Sequence, residues 1–81
     1  MTKKEKNILE QALYKATLME LRKKEAMKND KSKNARKMAE GAAVWAQAVE
    51  SLFRKLLLKE AEERLKDLKK EAANTFELEK G

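Results

Sequence analysis

The chain has 81 residues, a mass of 9.4 kDa and a formal net charge of +6, from 20 basic and 14 acidic side chains. It has no Cys, no His and no Pro, and its only glycines are Gly41 and Gly81. That excludes disulfide staples, thiolate or imidazole metal sites and turn-rich β folds, and it removes the usual general base. What remains is a small all-α protein forming a single domain over residues 1–81.

In chain order, Thr2 and Glu5 have the spacing of a capping box, so a helix starts near residue 3. Strong helix formers carry it, with no Gly or Pro, to about residue 28. The stretch from Lys28 to Asn34 contains no apolar residue, and residues 29–34 read as a basic turn. Asp30, Ser32 and Asn34 are rival N-caps for the next helix. That second helix runs over about 35–73 without a strong stop signal, and residues 74–81 form a tail of undetermined structure. At about 1.5 Å per residue the first helix is about 39 Å long and the second roughly 60 Å.

Helical periodicity then sorts the faces. Helix 1 carries a main stripe of Ile8, Leu9, Ala12, Leu13, Ala16, Met19, Ala26 and Met27, and a second set, Tyr14, Leu18 and Leu21, on its other side. The first half of helix 2 carries Ala35, Met38, Ala39, Ala42, Trp45, Ala46, Val49, Leu52, Phe53, Leu56 and Leu57, which read as core, Trp45 and Phe53 included. Its second half carries Leu58, Ala61, Leu65, Leu68 and Ala72, rotated by roughly 100–120° from the first stripe. The expected fold is an antiparallel helical hairpin with a long second helix, coiled-coil-like, completed to a multi-helix bundle by dimerisation. In that homodimer, Leu58, Ala61, Leu65 and Leu68 of one copy cover Tyr14, Leu18 and Leu21 of the other. The alternative is a break near Leu58 and an intrachain three-helix bundle. The dimer is favoured because Leu57-Leu58-Lys59-Glu60 contains no turn residue.

Chemistry is thinly represented. Ser32, Ser51, Thr17 and Tyr14 have no His to activate them. The acidic run Glu60, Glu62, Glu63, Asp67 and Glu71 pairs with Arg64 and Lys66 at helical spacing, so it reads as a salt-bridged face and not as a metal site. No catalytic residue, cofactor or metal is expected, and the chain does not read as an enzyme. The longest wholly apolar run is Ala42-Ala43-Val44-Trp45-Ala46, far short of a membrane span, and a cytoplasmic location is expected.

The charge map says more. Residues 1–37 carry 12 basic and five acidic groups. Arg22, Lys23, Lys24, Lys28, Lys31, Lys33, Arg36 and Lys37, against Glu25 and Asp30, put +6 at the hairpin tip. Such a patch attracts an anionic partner, and weak, salt-sensitive contact with nucleic-acid phosphates is one expectation. No aromatic side chain interleaves it, so base stacking is not indicated.

Three features together resemble the small helical-hairpin proteins of Gram-positive phages and prophages. They are the Met1-Thr2-Lys3-Lys4-Glu5 opening, the Asn/Lys/Ser turn, and Ala39-Glu40-Gly41-Ala42-Ala43 leading into Ala48-Val49-Glu50-Ser51-Leu52. The resemblance implies a protein that binds a host or phage protein, defence systems included, as a regulator or inhibitor. A nucleic-acid-binding accessory protein is the second expectation. A designed bundle is the third, against which the irregular turn and four Met residues argue.

Overall fold

The computed structural model describes all 81 residues, is 93% helical and contains no strand. Helix α1 spans Lys3–Asn29 and α2 spans Lys33–Leu57; a 3₁₀ turn at Leu58–Glu60 leads into α3, Ala61–Lys80. Helices α1 and α2 form the expected hairpin. The second arm is helical from Lys33 to Lys80 but changes direction at Leu58.

The start of α1 is a capping box: the Glu5 amide donates to Thr2 Oγ1 and the Thr2 amide donates to Glu5 Oε1, each at 3.1 Å. The first turn is tighter than the expected 29–34. Asp30 leaves the helix in extended conformation, its Oδ1 accepts from the Ser32 amide at 3.0 Å, and Ser32 Oγ accepts from the Ala35 amide at 3.2 Å. Ser32 is therefore the N-cap, and Asn34 lies inside α2.

The second reversal has no such chemistry. Leu58 sits at φ 50° and ψ −113°, a conformation that crowds any residue with a Cβ, and its side chain is 73% exposed. Past it, α3 folds back beside both earlier helices. Arg54 pairs with Glu62 at 2.6 Å and Lys69 pairs with Glu50, which sets α3 antiparallel to α2. Lys6 pairs with Glu60 at 3.0 Å, Arg64 with Glu10 at 2.9 Å and Arg22 with Glu79, which sets α3 parallel to α1. The molecule measures 42 × 26 × 19 Å, its long axis matching α1 at about 1.5 Å per residue.

The core lies along the axis of these three helices. Phe53 and Leu13 are its largest fully buried side chains, each worth about 1.5–3 kcal/mol relative to exposure. Leu9, Ala16, Ala46, Val49, Ala61, Leu65 and Leu68 pack with them. The stripe expected to need a second copy is thus covered within one chain. Ala61, Leu65 and Leu68 are core residues, Leu18 is buried, Leu21 is half-buried, and Tyr14 packs on the core. The Tyr14 hydroxyl lies 2.6 Å from Thr75 Oγ1. Leu58 takes no part in this face, because it forms the turn itself. The stripe rotation read from the sequence is taken up by one positive φ, and the reason for a dimer through these residues is gone. The tail is helical too. Thr75 Oγ1 donates to the Glu71 carbonyl at 3.1 Å, and Lys80 Nζ lies 5.4 Å from the centroid of the Phe76 ring.

Candidate functional site

Several residues expected in the core are on the surface instead. Ile8 and Trp45 are each 60% exposed, and Met19, Met38, Leu52 and Leu56 are also exposed. On α2, Met38, Trp45 and Leu52 recur every seven residues, Leu56 follows four later, and Gly41 and Ala48 fall between them on the same face. On α1, Ile8, Ala12 and Met19 share one side. Lys6, Glu10 and Tyr14, which engage α3 along its first part, lie about half a helical turn away from that side, whereas Arg22, whose long side chain reaches Glu79, lies nearer to it. The apolar surface therefore faces away from α3, on the open side of the α1/α2 hairpin. Where the two helices meet it forms an open groove of about 590 Å³, lined by Met1, Ile8, Leu9, Ala12, Leu52 and Leu56 with Glu5 at its edge. Periodicity found this stripe. It could not tell which of two apolar arcs the third helix would cover, because each arc alone looks like a core face.

The groove has a basic border. Lys4 and Lys15 on α1, and Lys37 and Lys55 on α2, are exposed and flank it by helical spacing, and Lys23 lies further along the α1 side. None of the five makes an ion pair. Glu5 is occupied in the Thr2 capping box, and the Thr2 amide holds its carboxyl below the usual carboxylate range.

The hairpin tip is less basic than its sequence suggests. Lys24 pairs with Glu20 at 3.1 Å and Lys28 with Glu25 at 3.1 Å. Arg22 is held by Glu79, which raises the guanidinium and lowers the carboxylate, and Lys80 Nζ lies 3.9 Å from Glu25. These last two contacts exist because α3 continues to Lys80 and delivers its end to the tip. Lys23, Lys31, Lys33, Arg36 and Lys37 remain without ion pairs.

A second cleft of about 620 Å³, between the starts of α1 and α3, has no hydrophobic residue in its lining. It is lined by Lys3, Lys4, Lys6, Asn7, Glu10 and Arg64, and its two inner cations are already held, Lys6 by Glu60 and Arg64 by Glu10. The Glu10 bond raises the Arg64 guanidinium. No cluster of three or more carboxylates converges as a metal site would require, and no buried side-chain polar atom lacks a hydrogen bond. No helix is long and apolar enough to cross a membrane. No protein-family model matches the chain, and no curated protein or solved structure does either.

Proposed function

We propose that this protein is a non-enzymatic binding protein that works by laying the open face of its α1/α2 hairpin on another protein. The intended setting is the cytoplasm of a host cell, and the role is that of a small phage-type regulator or inhibitor of a host protein or defence system. One observation carries the reading. The only Trp of the chain sits 60% exposed in an apolar face that α3 leaves uncovered. A contiguous apolar patch with polar borders on a small folded domain marks a contact site, whereas scattered exposed apolar residues do not. Affinity capture from a host lysate tests it with paired variants. Leu52→Glu, at an exposed position, is expected to abolish capture with the circular dichroism unchanged. Glu at Lys31, Lys33 and Arg36 is expected to leave capture intact.

A second reading rests on the cations at the tip that make no ion pair, which would meet nucleic-acid phosphates. Binding of that kind weakens steeply with salt and follows the tip variants, not Leu52→Glu.

A further inference from the structure

We infer that the partner segment taken by the α1/α2 groove is an amphipathic helix with acidic flanks, docked as the fourth helix of a bundle. The inference rests on the proposed function, and it adds the partner's shape and charge.

The shape comes from the groove. Two antiparallel helices with a third on one side leave a vacant position of helical width on the other. Apolar helices fill such grooves through anchors spaced three, four and seven apart. The α2 face from Met38 to Leu56 is about 27 Å long at 1.5 Å per residue, which matches an occupant of about 18 helical residues. Its side chains alternate in size: Met38, Gly41, Trp45, Ala48, Leu52. A Cβ added at Gly41 would touch nothing within 4 Å, so no contact inside the chain needs glycine there. Glycine inside a helix is less favourable than alanine. A neighbouring helix passing beside Trp45 makes use of the room that Gly41 leaves.

The charge comes from the border. Lys4, Lys15, Lys23, Lys37 and Lys55 have no intrachain partner, and the one acid that lines the groove, Glu5, is engaged as a cap. Complementarity assigns carboxylates to the opposing flanks. A second copy laid on the same face would set lysine border against lysine border, which disfavours a symmetric dimer there. A nucleic acid offers phosphates but nothing apolar to cover Ile8, Trp45 and Leu52. An anionic bilayer offers both, yet a flat surface does not fill a groove that has Leu9 among its lining residues.

The sole Trp is a built-in reporter. The full chain is used to select from a display library of 18-residue amphipathic helices whose flanking positions are randomised among Glu, Gln and Lys. Enriched helices are expected to carry Glu at the flanks and to shift Trp45 emission to the blue. They should bind at least about tenfold more tightly than their Lys-flanked counterparts, with the difference shrinking as salt rises. The combined variant Lys4→Glu, Lys15→Glu, Lys37→Glu, Lys55→Glu should invert the preference. Leu52→Glu should remove binding with its helicity retained. Enrichment of helices without charge preference overturns the acidic assignment and leaves the protein-docking reading standing. A blue shift on concentrating the protein alone assigns the face to a second copy. A blue shift only with phosphatidylglycerol vesicles, or no enriched helix at all, overturns both readings.

Discussion

The chain turns back twice, at Asp30–Ser32 and at Leu57–Glu60, by opposite means. At the first turn the local residues make the bonds that end one helix and begin the next: Asp30 accepts from the Ser32 amide and Ser32 accepts from the Ala35 amide. At the second, no side chain caps the 3₁₀ turn, and Leu58 holds a positive φ with its side chain in solvent. The first reversal is satisfied by three or four residues. The second is a local cost that persists because Ala61, Leu65, Leu68 and Ala72 are buried beyond it, and because ion pairs tie α3 to both earlier helices. One turn is written in its own residues, the other in residues up to 14 positions downstream.

The largest test removes the downstream force. Leu65→Ala opens space at a core position and is expected to cost about 2–5 kcal/mol, a large share of the stability of so small a domain. Because docking is what holds the second reversal, amide exchange should show α3 losing protection first while the α1/α2 turn stays protected. Simultaneous loss across all three helices would break the comparison, making both turns equally dependent on the whole bundle.

Three substitutions of smaller effect act on the turns themselves. Leu58→Gly relieves a strain of about 1–3 kcal/mol. It loses part of that to the added freedom of the unfolded chain, so a net gain of about 1 kcal/mol is expected in the urea midpoint. Leu58→Ala keeps the Cβ and should gain nothing. Ser32→Ala removes the cap of α2 and should cost about 1 kcal/mol. Opposite signs at the two turns sharpen the contrast, and equal signs would erase it.

Gly41→Ala asks the same question of the binding face. The added methyl meets open space, so the isolated protein should gain up to about 1 kcal/mol in thermal or urea unfolding. Affinity for a docked helix should fall, since the room beside Trp45 is lost. A gain in stability with no loss of affinity would mean that Gly41 serves no partner.

Legibility followed the same division. The capping box, the α1/α2 hairpin and the core positions Leu9, Leu13, Ala16, Ala46, Val49 and Phe53 could be read from local signals and period. The rotation of the stripe at Leu57–Lys59 could also be read. Its resolution could not, because Leu57-Leu58-Lys59-Glu60 carries no turn residue and the choice between a partner copy and a fold-back depends on energies summed over α3. The same ambiguity hid the candidate site. Once α3 covers Tyr14, Leu18 and Leu21, the face bearing Ile8, Trp45 and Leu52 is the one left in solvent, and periodicity ranks neither face above the other. The tip looked more basic than it is because Glu79 lay in a tail with no readable structure.

The smallest expected effect separates the turns by pH. The Asp30 carboxyl is held below the usual carboxylate range, first by the backbone amide of Ser32 and then by the Ser32 side chain. A group whose folded pKa is depressed stabilises the fold above its unfolded pKa, and that contribution is lost as pH falls through the folded value. The first reversal should therefore loosen on acidification, below the ordinary Asp range. Asp30→Asn keeps an acceptor for the Ser32 amide but cannot titrate. The variant should show a flatter dependence of melting temperature on pH between neutrality and acid, with little change at neutral pH. Glu5 in its capping box and Glu79 beside Arg22 shift in the same direction and add to the wild-type slope, so the Asp30 share is read as the difference between the two proteins. A direct check is the carboxyl carbon resonance of Asp30, which should titrate below that of an unstructured Asp peptide. If it titrates at or above the peptide value, the Ser32 amide is not bonded to it in solution, and the first turn owes its shape to the bundle as much as the second does.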